Sequence, residues 1–285
     1  PPLNARCSVL KSTIFSETAM FTSEDNRCAL VIGHPGHELL VHGWLEVTRP
    51  LVFVLTDGSG RSNQSRLDST TRILKQTGAK PGSIYGRLTD AAGYAAILDH
   101  DFDLFVALAD ELSGAFMVEG IDLVAGDALE GYNPMHDVCR LVINAAATVA
   151  GHARGQRVAN FKFSLTGESI GEPGALHASS PDDGICRQLD DDAFARKMAA
   201  AKGYAELAGE VHATMERIST DALRAECLHP VDHGPGENSC DQPPFYEIYG
   251  EQQVAAGYYR QVLRYADHIS PLAEALERYV ESRIN

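Results

Sequence analysis

The chain has 285 residues, 44% of them hydrophobic, enough to bury a full core, and the length suits one main α/β domain. Its formal charge of -15 makes the average surface repel phosphate backbones and anionic lipid, so nucleic acid and membrane surfaces are poor partners. No apolar run approaches the roughly 20 residues of a membrane span, and the six cysteines lie far apart with no C-x-x-C pair, which argues against a zinc ribbon or a dense disulfide framework and points to a reducing cytosol.

Residues 1–26 read as a polar leader. Residues 28–32 (Cys-Ala-Leu-Val-Ile) form a short apolar run that stops at Gly33, and residues 38–46 follow with helical spacing, so the order is strand, loop, helix. A second such unit starts at Leu51, breaks at the turn residues 56–60, and continues as a helix over 65–76 closed by Gly78. A short strand is expected at 84–86, then helices over 90–100 and 102–116. Residues 121–125 read as the next strand, followed by a helix from about His136 to Ala153. The alternating residues 161–165 suit one more strand, whereas 166–190, rich in Gly, Pro, Ser and Asp, read as a long loop or partial lid. Residues 191–218 are the longest helical stretch, with Asp190, Asp191 and Asp192 at its N-terminus. An irregular crossing segment spans 229–244, and a last helix runs over 252–284; Tyr258, Tyr265 and Leu272 share a face of it that reads as packing, and its length and several tyrosines would suit a homo-oligomer contact.

Strands alternating with helices of ten or more residues imply right-handed crossovers and a Rossmann-like, mostly parallel sheet covered on both faces, with a C-terminal helical and irregular extension. The expected division is a leader over 1–26, a metal-binding core over 27–165, and an extension over 166–285 packing on it. Ligands of such sheets bind outside the carboxyl ends of the strands. There the loops 34–38, 57–61 and 127–137 would gather.

His34-Pro35-Gly36-His37-Glu38 follows the first strand directly, and His136 follows a later strand after the turn-prone residues 131–134. Three neutral imidazoles on one divalent ion would leave a tetrahedral zinc one open position for water or substrate. Iron or another transition metal would also accept such ligands. Solvated loop histidines are the competing reading. Trp44 reads as core, and His229 and His233 as solvated loop residues, with a second metal as their alternative role.

These residues bring in a resemblance. His34-Pro35-x-x-Glu38 after a strand, Gly58-x-Gly60 after the next with Arg66 beyond, and Asn133-Pro134-x-His136 are similar to the zinc-dependent PIG-L/LmbE family of N-deacetylases over about residues 28–153. The family's signatures are His-Pro-Asp-Asp-Glu and His-Pro-Asp-His. The resemblance implies zinc ligands at His34, His37 (in place of an Asp) and His136. It makes Glu38 a residue that orients a ligand and Arg66 a pocket residue.

The same likeness places the family's general base on Gly36, which cannot accept a proton, its acid histidine on Asn133, and its last Asp on Met135. Losing a base costs on the order of 10²- to 10⁴-fold in rate unless another group replaces it. Asp57 is one replacement, with an Asx turn as its alternative role. Glu247 or Glu251, in the aromatic cluster 245–251, is another, with Tyr246 or Tyr249 adding a hydrogen bond; an aromatic anchor for the last helix is the competing reading. Asp127 and Glu130 would orient a histidine, bind substrate or cap a turn, and Asn133 would donate to a developing oxyanion. The expected function is therefore a cytoplasmic metal-dependent hydrolase of an amide or N-acetyl bond in a small polar metabolite or amino sugar. A lyase or hydratase on the same fold and a non-catalytic metal- or ligand-binding protein are the alternatives.

Overall fold

The apolar runs become the central strands of one sheet. The computed structural model describes residues 27–165, 184–219, 221–231 and 243–285. The leader, most of the 166–190 loop, and His233 with most of the crossing segment fall outside these residues.

Strands β1 (Cys28–Ile32), β2 (Leu51–Thr56), β3 (Lys80–Leu88), β4 (Leu123–Asp127) and β5 (Ala159–Phe163) pair in parallel, and β7 (Ala225–Pro230) joins β5 and β6 (Ile185–Gln188) antiparallel. The order is β3-β2-β1-β4-β5-β7-β6. The strand order reverses between β1 and β4, which opens a crevice at their carboxyl ends.

Successive side chains on each strand face opposite ways, so β1 serves two cores at once. Ala29 and Val31 join Phe53, Leu55 and Val124 beneath helices α4 (Phe102–Glu119), α5 (Pro134–Arg154) and α9 (Ser270–Ile284). Leu30 and Ile32 join Val52, Val54 and Ala125 on the other side, with Trp44 and Leu45 of α1 (His42–Thr48) and Leu74 of α2 (Leu67–Thr77). Helix α3 (Asp90–Leu98) follows β3. Glu226 on β7, fully buried, accepts the Gly43 and Trp44 amides at the start of α1 and pairs with Lys197 Nζ at 2.9 Å, which fastens α6 (Asp191–Lys202) to the core.

Several elements differ from expectation. The strand expected at 84–86 starts four residues earlier, at Lys80, because β3 is a sheet edge, where Pro81 withholds no needed donor. Gly82 lies against the Phe53 ring, which a Cβ would strike. The stretch 191–218 is not one helix. It stops at Gly203, Tyr204 turns into the core, and α7 (Ala208–Arg217) starts anew. The stretch 252–284 also divides, into α8 (Phe245–Ala255) and α9. Gly257 takes φ 79, and Pro271 sits in the first turn of α9, where the missing N–H costs nothing. Tyr258 consequently lies exposed, not on a shared packed face with Tyr265 and Leu272. Strand β6 occupies part of the expected loop, and β7 reaches into the expected crossing segment. The wide cysteine spacing, which argues against a dense disulfide framework, still admits a Cys186–Cys227 disulfide across β6 and β7. Cys28 and Cys139 are buried and outside any disulfide. Among the described residues no helix is long and apolar enough to cross a membrane.

Candidate metal centre

The turn after β1 is built around Gly36, whose φ of 112 lies where side chains are disfavoured. This turn swings His34 and His37 over the carboxyl end of the sheet. His136 reaches the same place from the first turn of α5, which Asn133 caps by accepting the Met135 amide at 2.8 Å. The three rings meet edge-on, with centroids 5.5 Å (His34–His37), 5.2 Å (His34–His136) and 4.6 Å (His37–His136) apart.

Two of the three rings, His34 and His37, have carboxylate partners on their Nδ1 atoms. His34 Nδ1 lies 2.9 Å from Asp90 Oδ1 and 2.8 Å from Thr56 Oγ1, and His37 Nδ1 lies 2.9 Å from Asp127 Oδ1. The other oxygens of those carboxylates accept backbone amides, Asp90 from Gly60 and Asp127 from Gly33, each at 2.7 Å. Arg140, itself buried, holds the Asp127 carbonyl, Asn160 and the Phe161 carbonyl. In contrast, His34 Nε2 and His136 Nδ1 are buried with no hydrogen-bond partner. Carboxylate-backed imidazoles with the opposite nitrogen left over are the usual arrangement of histidine ligands.

A metric test bears on the fit. With Zn–N near 2.0–2.1 Å in tetrahedral geometry, ring centroids lie about 3.2 Å from the ion and so about 5 Å from each other. The observed separations bracket that value. Among the described residues, no group of three His, Cys, Asp or Glu side chains meets metal-holding geometry outright, so closing the triad around an ion requires side-chain adjustment.

The electrostatics suit neutral ligands unevenly. Burial drives His136 well below the usual histidine range, and the neighbouring His37 and His34 lower it further. Burial lowers His37 too, but the Asp127 charge and hydrogen bond outweigh that and raise it. Asp90 is held below the carboxylate range because its bonds to His34 overcome its burial. Glu38 is fully buried, is raised by desolvation, and accepts the Gly36 amide at 2.6 Å. It braces the turn that carries the histidines.

The remaining expected site residues divide. Arg66 stands close to the Gly58 and Gly60 backbone and within electrostatic reach of His37, and its guanidinium lies 3.8 Å from Glu210. Asp57 uses Oδ1 for an Asx turn to the Ser59 amide at 2.9 Å, in a loop that packs on Pro35 through Gly58. Asn133 also accepts Tyr94 Oη at 2.9 Å, so its carbonyl end is committed and its amide end is the donor. Glu130 lies instead on Ser164 Oγ and the Leu165 amide, away from histidine-orienting duty. Glu247 and Glu251 bind Arg264, and Glu247 also accepts the Tyr265 amide. Tyr249 stacks on Phe245. Asp90 had no signal in the sequence beyond its place before a helix. Only the topology shows that the end of the β3 edge lies beside His34.

A three-imidazole cluster at the switch point of a Rossmann-like sheet defines the class, an α/β fold with a candidate metal centre at its open edge. No family model and no curated protein matches the sequence. Solved structures do share the fold. The A40926 pseudoaglycone deacetylase Dbv21 superposes with TM-score 0.51 at 20% identity, over 74% of this chain and 99% of that one. A deacetylase of the teicoplanin biosynthesis pathway gives 0.51 at 16%, over 74% and 100%. At these identities the likeness is one of fold.

Proposed function

We propose that this chain is a metal-dependent hydrolase of a C–N bond, an amide or N-acetyl group on a small polar metabolite or amino sugar. The observation that carries it is the His34–His37–His136 triad, with Asp90 behind His34, Asp127 behind His37, and the buried His34 Nε2 and His136 Nδ1 left without a hydrogen-bond partner. The shared fold with two deacetylases supports the reaction class. The chemistry a divalent ion supplies when bound is Lewis acidity toward a carbonyl oxygen and increased acidity of water. Zinc suits three imidazoles best, with iron or another transition metal as the alternative.

The chain's own groups supply the rest. Asp90 and Asp127 fix His34 and His37 in the tautomers that turn Nε2 inward. Asn133 offers its amide N–H to charge developing on the carbonyl oxygen. Arg66 adds positive potential beside His37. The base cannot stand at residue 36, since a Cβ there would collide with Leu207. Glu247 is occupied on both oxygens, and we assign the base's role to Asp57, one of whose oxygens serves the Asx turn to Ser59.

A second reading, a non-catalytic metal- or ligand-binding protein, draws on one observation: Asp90, Asp127, Glu130 and Glu247 are all committed to bonds that position other groups. Acetate release from N-acetylglucosamine conjugates by zinc-loaded protein separates the two. Hydrolysis that falls at least 100-fold in Asp57→Asn, with zinc still bound, supports the enzyme. No release from any conjugate supports the binding protein. The cytosol expected from cysteine spacing competes with an oxidising compartment, which the Cys186–Cys227 disulfide favours.

A further inference from the structure

A ladder of aromatic rings leads outward from the triad. Tyr132 lies 6.5 Å from the His136 ring and stacks on Phe245 at 5.1 Å and 8°. Phe245 stacks on Tyr249 at 6.1 Å, and Tyr249 meets Tyr259 at 6.4 Å. Tyr132 and Phe245 are each 50% exposed and Tyr259 42%, with Ile248 exposed beside them. Singly exposed apolar residues need no explanation, but contiguous ones next to a reactive centre do.

Anchoring α8 does not explain these rings. That role belongs to the adjacent Tyr246, which is buried and joins the main core, while Phe245 and Ile248 face solvent. The ladder is also tied to the triad by hydrogen bonds. Asp137, next to His136, accepts the Glu130 and Gly131 amides at 3.1 Å, and the Tyr246 amide donates to the Gly131 carbonyl at 3.4 Å. Loop, helix and histidine are thus linked to one another in the ligand-free chain. Preorganised rings bind a flat partner without first paying to order themselves.

We infer that the ladder of Tyr132, Phe245, Tyr249 and Tyr259 is a binding subsite for an aromatic ring carried by the substrate. The substrate class narrows to amides of ring-bearing, aryl-substituted molecules. The inference rests on the triad being the reactive centre, since continuity with His136 is what makes the occupant substrate.

Titration of the full chain with the methyl and the phenyl β-glycoside of N-acetylglucosamine, in chelated and in zinc-loaded protein, tests it. Phenyl is expected to bind about fivefold tighter than methyl. That preference should collapse to under twofold, on the same scale, in Phe245→Ala and in Tyr132→Leu, and persist in His37→Ala. Equal affinities, or a preference unmoved by both substitutions, overturns the inference. So does sedimentation showing a dimer that Phe245→Ala dissociates, which would give this face to a second copy. Because binding is read without turnover, absent hydrolysis with the phenyl preference intact would sink the hydrolase reading and leave the subsite standing.

Discussion

Placing at position 36 the carboxylate that the PIG-L/LmbE signature carries there should damage this protein rather than activate it. Gly36 sits at φ 112, and a Cβ there would strike Leu207 Cδ1. Leu207, partly buried, packs against Leu39, Ile73, Ala200 and Tyr204, so yielding to the new side chain means giving up part of that packing. A left-handed non-glycine residue costs about 1–2 kcal/mol and overpacking typically 1–3 kcal/mol. Gly36→Asp should therefore lose about 2–5 kcal/mol, a fall in Tm of about 5–15 °C for a domain of this size. Denaturant unfolding of Gly36→Asp, Leu207→Ala and the double variant isolates the collision. The cycle should return a coupling of about 1–3 kcal/mol, because truncating Leu207 removes the clash but not the backbone strain. A Gly36→Asp protein as stable as its parent, or one with raised deacetylase activity, would refute the claim that the C-terminal segment has closed over the base's place.

Other consequences can be checked separately. Glu226→Ala leaves Lys197 buried without its partner and frees the start of α1, so chemical unfolding should show a loss of about 3–5 kcal/mol; a loss under 1 kcal/mol, on that same scale, would mean the pair is not buried as described. Reducing the Cys186–Cys227 bridge releases a loop of 41 residues and should lower unfolding free energy by up to about 4 kcal/mol. Unfolding curves that coincide with and without reductant would show that this bridge does not form. Asp127→Asn removes the charge and leaves one acceptor oxygen for two donors, the Gly33 amide and His37 Nδ1, and zinc affinity by competition with a chelating dye should weaken about 10- to 100-fold. Unchanged affinity would remove Asp127 from the site.

What could be read from the sequence followed physical signal strength. Buried parallel strands such as 28–32 and 51–56 are nearly all apolar and end at Gly or turn residues, so their order and the loops that carry His34, His37 and His136 were legible. Strands at or next to the sheet edges are not so marked. β3 contains Pro81 and Gly82, and β6 and β7 are short and half-exposed, so composition alone points to loop. Helical composition across 191–218 hid a break that only the burial of Tyr204 explains. Pairing across space was equally invisible. Asp90 and Asp127 lie 56 and 90 residues from the histidines they hold, and Cys186 lies 41 from Cys227. The aromatic cluster at 245–251 was visible as composition, but its partner Tyr132 was not, because the Gly131–Tyr246 hydrogen bond brings them together.

The most direct test is the metal content of the full chain purified without chelator, followed by zinc titration of the wild type and of His34→Ala, His37→Ala and His136→Ala. One equivalent of a divalent ion in the wild type, lost or weakened at least about 100-fold in each single variant, is the result this structure predicts. A wild-type chain that takes up no ion, or variants that hold it as tightly as the parent, would contradict it.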